Sequence, residues 1–112
     1  MIARLVEMVV KPGSAESLAD AIEHHAIPLL RESIGLRDYM VLVLKDEPRI
    51  VIIQSFWDDM EGVLRFERDV LPLIRPMTQP FIVGDLRTRL FTVSCQAEAA
   101  LNNRRFPVDK AS

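Results

Sequence analysis

The sequence predicts an α+β fold of the ferredoxin-like type, a four-stranded antiparallel sheet in the order β-α-β-β-α-β. Four apolar stretches rich in β-branched residues are bounded by Gly, Pro, Asp or Asn, as strands are. Two further stretches carry apolar residues at helical spacing, one after the first strand and one after the third. Right-handed crossovers place both helices on one face of the sheet, with the first and third strands in its centre.

The third predicted strand begins at Arg49 and leads directly into a helix that Asp58 or Asp59 caps. Both faces of this strand are largely apolar, which is typical of a strand that is covered on both sides. Because the helices cover only one face, we expect a second copy of the chain to pack on the other, giving a homodimer through the sheet. The two faces are Ile50, Ile52, Gln54 and Phe56, and Val51, Ile53, Ser55 and Trp57.

The first strand is predicted over Ile2 to Val10 and the first helix after Ser14, a plausible N-cap. Pro28 interrupts the helical pattern, so we expect a kink or a short break near residues 26–27. Gly35 ends the helix in the manner of a C′ glycine. The apolar stripe of this helix is expected to comprise Leu18, Ile22, His25, Ala26, Leu29 and Leu30.

The second strand is predicted over Leu36 to Lys45, and a loop of four or five residues joins it to the third strand as a hairpin. Pro72 and Pro76 disturb the end of the second helix. The last strand is predicted over Phe81 to Val93. The stripe of the second helix is expected to comprise Met60, Val63, Leu64, Val70, Leu71 and Ile74, with Glu67 as its one charge.

Composition narrows the function classes. A chain of 112 residues with a net charge of -2 predicts one domain, over 1–95, without nucleic-acid or membrane partners. A single cysteine, Cys95, and the absence of metal-ligand spacing predict no disulfide and no metal site. With no signal-peptide pattern, we expect a cytoplasmic protein. The tail, 96–112, is expected to be loose or to dock on a partner.

Three short motifs carry a resemblance to a known family. They are Val-Lys-Pro-Gly at 10–13, Ile-Gly-Leu-x-x-Tyr at 34–39 and Phe-Trp-Asp-Asp at 56–59. Over about residues 2–93 the chain resembles the antibiotic biosynthesis monooxygenase group of dimeric α/β-barrel proteins. The resemblance implies a pocket between the helices and the sheet. It also implies that Trp57 belongs to the pocket wall and that Tyr39 matches the group's tyrosine early in the second strand.

The resemblance also implies which reactions to expect. The group includes cofactor-independent monooxygenases of aromatic polyketides, haem-degrading enzymes and proteins without an assigned reaction. The haem-degrading branch has an asparagine in the first strand and a histidine in the second helix, and this chain has neither. We therefore expect no haem and no other cofactor.

Five residues are the candidates for the site. His25, on the predicted apolar stripe, is a candidate general base, although a half-buried histidine bonded to a backbone carbonyl is the alternative. Tyr39 is a candidate catalytic hydrogen-bond donor, or else a residue of the rim or the dimer interface. Trp57 is expected to stack on a planar ligand or to belong to the core. Gln54 and Phe56 are further candidates for substrate binding.

Charges that interrupt apolar faces need partners or a ligand. Arg4 and Glu7 lie on opposite faces of the first strand, so only one of them faces the helices. A cross-strand pair with Asp85, Arg87 or Arg89 is the simpler expectation for that residue. Glu67 on the second helix is expected to form an ion pair at the edge of its stripe.

The preferred hypothesis is a cofactor-independent monooxygenase acting on a small aromatic or polyketide-like substrate. In that reaction a base deprotonates a phenol or enol, and the resulting anion reacts with dioxygen in a dry pocket. The alternatives are a non-enzymatic homodimer that binds a small apolar ligand, a domain whose pocket is filled by its own methionines, and an interaction module that uses the tail.

Overall fold

The computed structural model describes residues 1–97 and confirms the predicted fold class, an antiparallel sheet of four strands in the order β2-β3-β1-β4. The two central strands are therefore the first and the third, as the crossover rule requires. The strands are β1 (Ile2–Val10), β2 (Leu36–Val43), β3 (Ile50–Trp57) and β4 (Ile82–Thr92), and the helices are α1 (Ala15–Ala21), α2 (Ile27–Leu30), α3 (Met60–Asp69) and α4 (Leu71–Thr78).

The two faces of β3 have different surroundings. Its odd-numbered residues, from Val51 to Trp57, are buried under the helices. Its even-numbered residues, from Ile50 to Phe56, are only partly buried and lie on the face that no helix covers. The antiparallel pairing with β1 gives the same division there, because Arg4 lies opposite Ser55 and Glu7 lies opposite Ile52. We call these the helix face and the open face of the sheet.

The helix is broken where the sequence predicts it, next to residues 26–27. A π turn, Ile22–Ala26, separates α1 from α2, and the amide of Ile27 donates to the carbonyl of Ile22. Pro28 has no N–H to offer the preceding turn, and a π turn is one way in which a helix accommodates such a loss. The four residues Leu18, Ile22, Ala26 and Leu30 are all buried at a constant spacing of four.

The second helical segment begins at a well-formed cap. Of the two candidate aspartates, Asp59 is the N-cap, because its Oδ1 accepts a hydrogen bond of 3.0 Å from the amide of Gly62. The apolar stripe predicted for this helix is partly wrong, because it does not coincide with the buried side. Phe66 is buried, whereas Leu64 is 57% exposed. The segment is interrupted at Val70, just before Pro72, and continues as α4.

The ends of the chain's elements differ slightly from the prediction. β2 stops at Val43, two residues before the expected end, and Gly35 lies in the loop after α2, five residues beyond the last residue of that helix. Gly35 has the expected positive φ, 90°. After β4, residues 94–97 have no regular structure, and the predicted role of 98–112 lies outside the described residues. Among the helices of residues 1–97, none is long and apolar enough to cross a membrane.

Candidate functional site

A cavity lies between the helix face of the sheet and α3 and α4, where the family resemblance implies a pocket. It has a volume of about 60 Å³. Most of its wall is apolar, and its polar side chains come from β1, β2, β4 and α4. The lining residues are Arg4, Val6, Met8, Tyr39, Ile53, Phe66, Leu71, Ile74, Arg75, Thr78, Ile82, Leu86 and Thr88.

Arg4 is one of two cationic residues in the wall of this cavity, the other being Arg75. The side chain of Arg4 is 7% exposed, and its Nε donates a hydrogen bond of 3.1 Å to Oε2 of Glu67, whose side chain is 34% exposed. The guanidinium carbon lies 5.2 Å from the centre of the Phe66 ring, within range of a cation–π interaction. The guanidinium of Arg4 is thus held from one side by a carboxylate and from another by an aromatic face.

Tyr39 enters the cavity from the second strand. It pairs with Ser55, and Ser55 pairs with Arg4, so the three side chains form one row across β2, β3 and β1 on the helix face. Burial raises the pKa of the Tyr39 phenol to about 12, and the positive charge of Arg4 opposes part of that rise. At neutral pH the phenol is therefore protonated, and it can donate a hydrogen bond but not act as a base.

A larger basin adjoins the cavity on its outer side. It has a volume of about 500 Å³ and lies between the end of α4 and the start of β4, next to Gly84. A β-bulge at this point shifts the register of β4 against β1, and Gly84 has a φ of 73° there. The basin and the inner cavity share four wall residues, Arg75, Thr78, Ile82 and Leu86.

Of the residues that the sequence singled out, Tyr39 lines the cavity and His25 does not. The prediction that His25 lies on the buried stripe is wrong, since the residue is exposed. The physical reason is the π turn, in which i→i+5 bonds spread each turn over more residues. The spacing of four then stays in phase with the buried stripe, and a residue three positions after Ile22 turns away from it.

The prediction that Gln54 and Phe56 lie in the pocket and bind the substrate also differs from their place in the structure. Both lie on the open face of the sheet, away from the cavity and the helices. Trp57 does lie on the helix face, but it is fully buried and does not line the cavity. Its Nε1 donates to Oγ of Ser55 at 2.9 Å, and its ring packs on Phe66 at 5.1 Å, so it has the core role of the two expected for it.

The sequence marks two residues of the site, Arg4 and Glu67, but does not show that they contact each other. Arg4 and Glu67 each interrupt an apolar pattern, but the expected partners of Arg4 were on the last strand. It is Glu7, on the open face, that approaches Arg89, at 3.6 Å. Phe66 was missed because the predicted stripe was out of phase. The pair could have been predicted from the sequence, because an inward-facing cation and an inward-facing carboxylate each need a partner of opposite charge.

A second cleft, of about 250 Å³, lies on the outer side of the helices between the loop after α2 and α3. Of its three charged residues, Glu32, Arg65 and Asp69, the last two are engaged with neighbours. Arg65 contacts Glu61 at 3.5 Å and the carbonyl of Ile34 at 3.4 Å, and Asp69 accepts two hydrogen bonds from Arg68. Within residues 1–97, no group of three or more acidic, His or Cys side chains is placed to hold a metal ion.

The fold and the site together define a class, a ferredoxin-like α+β domain with a cavity between its helices and its sheet. A family model described as antibiotic biosynthesis monooxygenase matches residues 1–69 of the 112. The chain therefore belongs to the antibiotic biosynthesis monooxygenase family, and the resemblance seen in the sequence is confirmed. No curated protein matches the chain.

Solved structures with the same fold come from several organisms. A candidate antibiotic biosynthesis monooxygenase from Bordetella bronchiseptica has a TM-score of 0.72 at 13% identity, over 84% of this chain and 97% of that one. A protein of unknown function from Nitrosomonas europaea has a TM-score of 0.72 at 17% identity, over 88% and 94%. A protein from Shewanella oneidensis has a TM-score of 0.64 at 21% identity, over 80% and 87%. Likeness at these identities extends to the fold alone.

Proposed function

We propose that the protein is a monooxygenase that oxidises a small phenolic or enolic substrate in the helix-face cavity, without a bound cofactor. One observation carries the proposal. A buried cation, Arg4, and a protonated phenol, Tyr39, line the same largely apolar cavity. This arrangement suits an organic anion, because the cation favours the ionised substrate and the phenol donates to its oxygen. Membership of the family supports the reaction class.

In this scheme the substrate supplies the electrons. The phenol or enol loses its O–H proton to water, and the anion transfers an electron to dioxygen and then joins it through a new C–O bond. The resulting hydroperoxide loses the adjacent C–H proton as its O–O bond breaks. One oxygen atom remains as a carbonyl, and the other leaves as water. A substrate with one C–H and one O–H thus becomes a quinone or diketone, with one dioxygen consumed per turnover.

Each residue has a separate task in this scheme. A positive charge a few ångströms from the substrate lowers the pKa of an acid by about 1 to 3 units, which removes the need for a strong side-chain base. Glu67 is a positioning residue, since it binds Nε of Arg4 and orients the rest of the guanidinium. Tyr39 donates a hydrogen bond to the substrate oxygen or to the hydroperoxide. The apolar walls keep water from the intermediate.

The second candidate is a non-enzymatic domain that binds a small ligand in the same place. Met8 in the wall of the cavity favours this alternative, because a flexible methionine side chain adapts to ligands of different shape. The two candidates agree on the site and differ on whether dioxygen is consumed.

Oxygen uptake distinguishes them. The purified protein is incubated with a panel of phenols and enols in an oxygen electrode, with and without catalase. We expect one or more compounds to drive uptake that catalase does not reduce, because the second oxygen atom leaves as water. The Arg4→Met variant should lose this uptake, and Arg31→Gln, which removes an exposed charge on the helix side, should retain it. Ligand binding without uptake in any compound would instead support the non-enzymatic domain.

We also propose that the open face of the sheet packs against a second copy of the chain. Leu42, Phe91 and Val83 are between 41% and 46% exposed and project from this face together with the even-numbered residues of β3. These exposed apolar side chains share the face with the pair of Glu7 and Arg89, and exposed apolar surface of this kind marks an interaction site. Ile52→Asp should convert a dimer into a folded monomer in sedimentation velocity, whereas Leu64→Asp on the outer side of α3 should not. A wild-type monomer at micromolar concentration would contradict the proposal.

A further inference from the structure

We infer that the outer basin is a second binding subsite, and that Arg75 in its wall selects substrates with an acidic extension. This inference rests on the proposed function and specifies its substrate class. The substrate would have a phenolic or enolic head in the inner cavity and a carboxylate or similar anion on an arm that reaches the basin.

The two volumes favour a ligand that spans both spaces. An apolar cavity of about 150 Å³ is one that holds a benzene ring, and the inner cavity has only about 60 Å³. An aromatic head therefore cannot be enclosed there without extending past the inner walls. The basin, at about 500 Å³, is within the range of about 300 to 1,000 Å³ that is usual for small-molecule sites.

The shared wall gives the direction in which the ligand extends. Arg75, Thr78, Ile82 and Leu86 line both spaces, so a ligand that outgrows the inner cavity on this side enters the basin. Leu86 is 42% exposed, and a leucine side chain can turn aside at little cost because it makes few contacts when it is this exposed. Thr78, by contrast, is buried, and its Oγ1 donates to the carbonyls of Ile74 and Arg75 within α4.

The basin contains one exposed cation, Arg75, and one carboxylate, Asp85. Arg75 is exposed, and of the ion pairs within residues 1–97 none involves it. Asp85, the acidic residue of the basin, lies within the bulge of β4. A guanidinium binds a carboxylate through two parallel hydrogen bonds, a geometry that a neutral hydroxyl cannot match. Asp85 would repel an anion beside it and attract an arm that ends in an amine. We therefore place the carboxylate of the arm at Arg75, and an amine arm bound at Asp85 is the competing outcome of the test.

The test compares three phenols that differ only at the end of the arm. They are 3-(4-hydroxyphenyl)propionate, the neutral 3-(4-hydroxyphenyl)propan-1-ol and the cationic tyramine. Binding to the full chain is measured by isothermal titration calorimetry in wild type and in the Arg75→Gln, Arg75→Glu, Arg31→Gln and Arg4→Met variants. Circular dichroism melting checks that each variant is folded.

We expect the propionate to bind wild type about tenfold more tightly than the alcohol, a difference of about 1.4 kcal/mol. Arg75→Gln should abolish this preference, Arg75→Glu should reverse it in favour of tyramine, and Arg31→Gln should leave it unchanged. Arg4→Met should weaken all three phenols alike, since it acts on the shared head.

The two failures are distinguishable. Phenols that bind in an Arg4-dependent manner, with no preference for the acidic arm or with a preference that survives Arg75→Glu, would overturn the subsite and leave the proposed function standing. Phenols whose binding is absent or indifferent to Arg4→Met would overturn both the proposed function and the subsite that depends on it.

Discussion

The two partners of the ion pair between Arg4 and Glu67 differ in solvent exposure. This difference predicts which substitution lowers the stability of the fold more. The Arg4 side chain is 7% exposed and that of Glu67 is 34% exposed. Replacing Glu67 by methionine leaves a buried cation without its carboxylate. Replacing Arg4 by methionine leaves a carboxylate that water already reaches.

The magnitudes follow from these exposures. Glu67→Met should lower the free energy of unfolding by about 2 kcal/mol, within the range for a hydrogen bond to a charged group. The figure stays below the 3 to 5 kcal/mol of a fully buried pair because Glu67 is partly hydrated. Arg4→Met should cost about 1 kcal/mol or less, mainly the cation–π contact with Phe66, because a methionine fills the same apolar space.

The assay is urea unfolding at pH 7 and one protein concentration, followed by the fluorescence of the single tryptophan, Trp57. The double variant should be about as stable as Arg4→Met alone, so that the cycle gives a coupling energy equal to the cost of Glu67→Met, about 2 kcal/mol. The exposed pair of Arg37 and Asp58, at 3.0 Å, is the control and should give a coupling below about 0.5 kcal/mol. If Arg4→Met is the more damaging of the two single changes, the reasoning from burial is refuted.

Two further predictions concern Tyr39 and the cap of α3. Tyr39 is the only tyrosine, so its ionisation can be followed by absorbance near 295 nm; the midpoint should lie near pH 12 in the folded protein and near pH 10 in denaturant. Because the folded pKa is raised, the stability linked to Tyr39 is present below pH 10 and is lost as pH rises from about 10 to 12, and Tyr39→Phe should remove this pH dependence. A folded-state midpoint near 10 would show that the phenol is not buried as described. Asp59→Ala should cost about 1 kcal/mol in urea unfolding through loss of the bond to the amide of Gly62, whereas Asp58→Ala should cost less than about 0.5 kcal/mol; equal losses would contradict the assignment of the cap.

The sequence alone determined the strands, their order and the position of the helices along the chain. Local signals suffice for these, because β-branched alternation, Pro-Gly turns and an aspartate before a helix act within a few residues. The apolar character of both faces of β3 was also visible, since alternation separates two faces.

Alternation does not say which face the helices cover, and only the tertiary structure decided this. The helices cover the face of Val51 and Trp57, so Gln54 and Phe56 belong to the open face. In the same way, a fixed helical period placed His25 on the buried stripe. The π turn before Pro28 changed that period locally, and it turned His25 to the surface.

The polar part of the site is the clearest case of a property that arises only in three dimensions. Arg4 and Glu67 are 63 residues apart in the chain, and Tyr39 reaches the same cavity through the pairing of β2 with β3. The sequence marked Arg4 and Glu67 as charges in apolar patterns, and it marked Tyr39 through the family resemblance. Their meeting depends on strand register and on the docking of α3, which are set by packing over the whole domain, and so no local signal contains it.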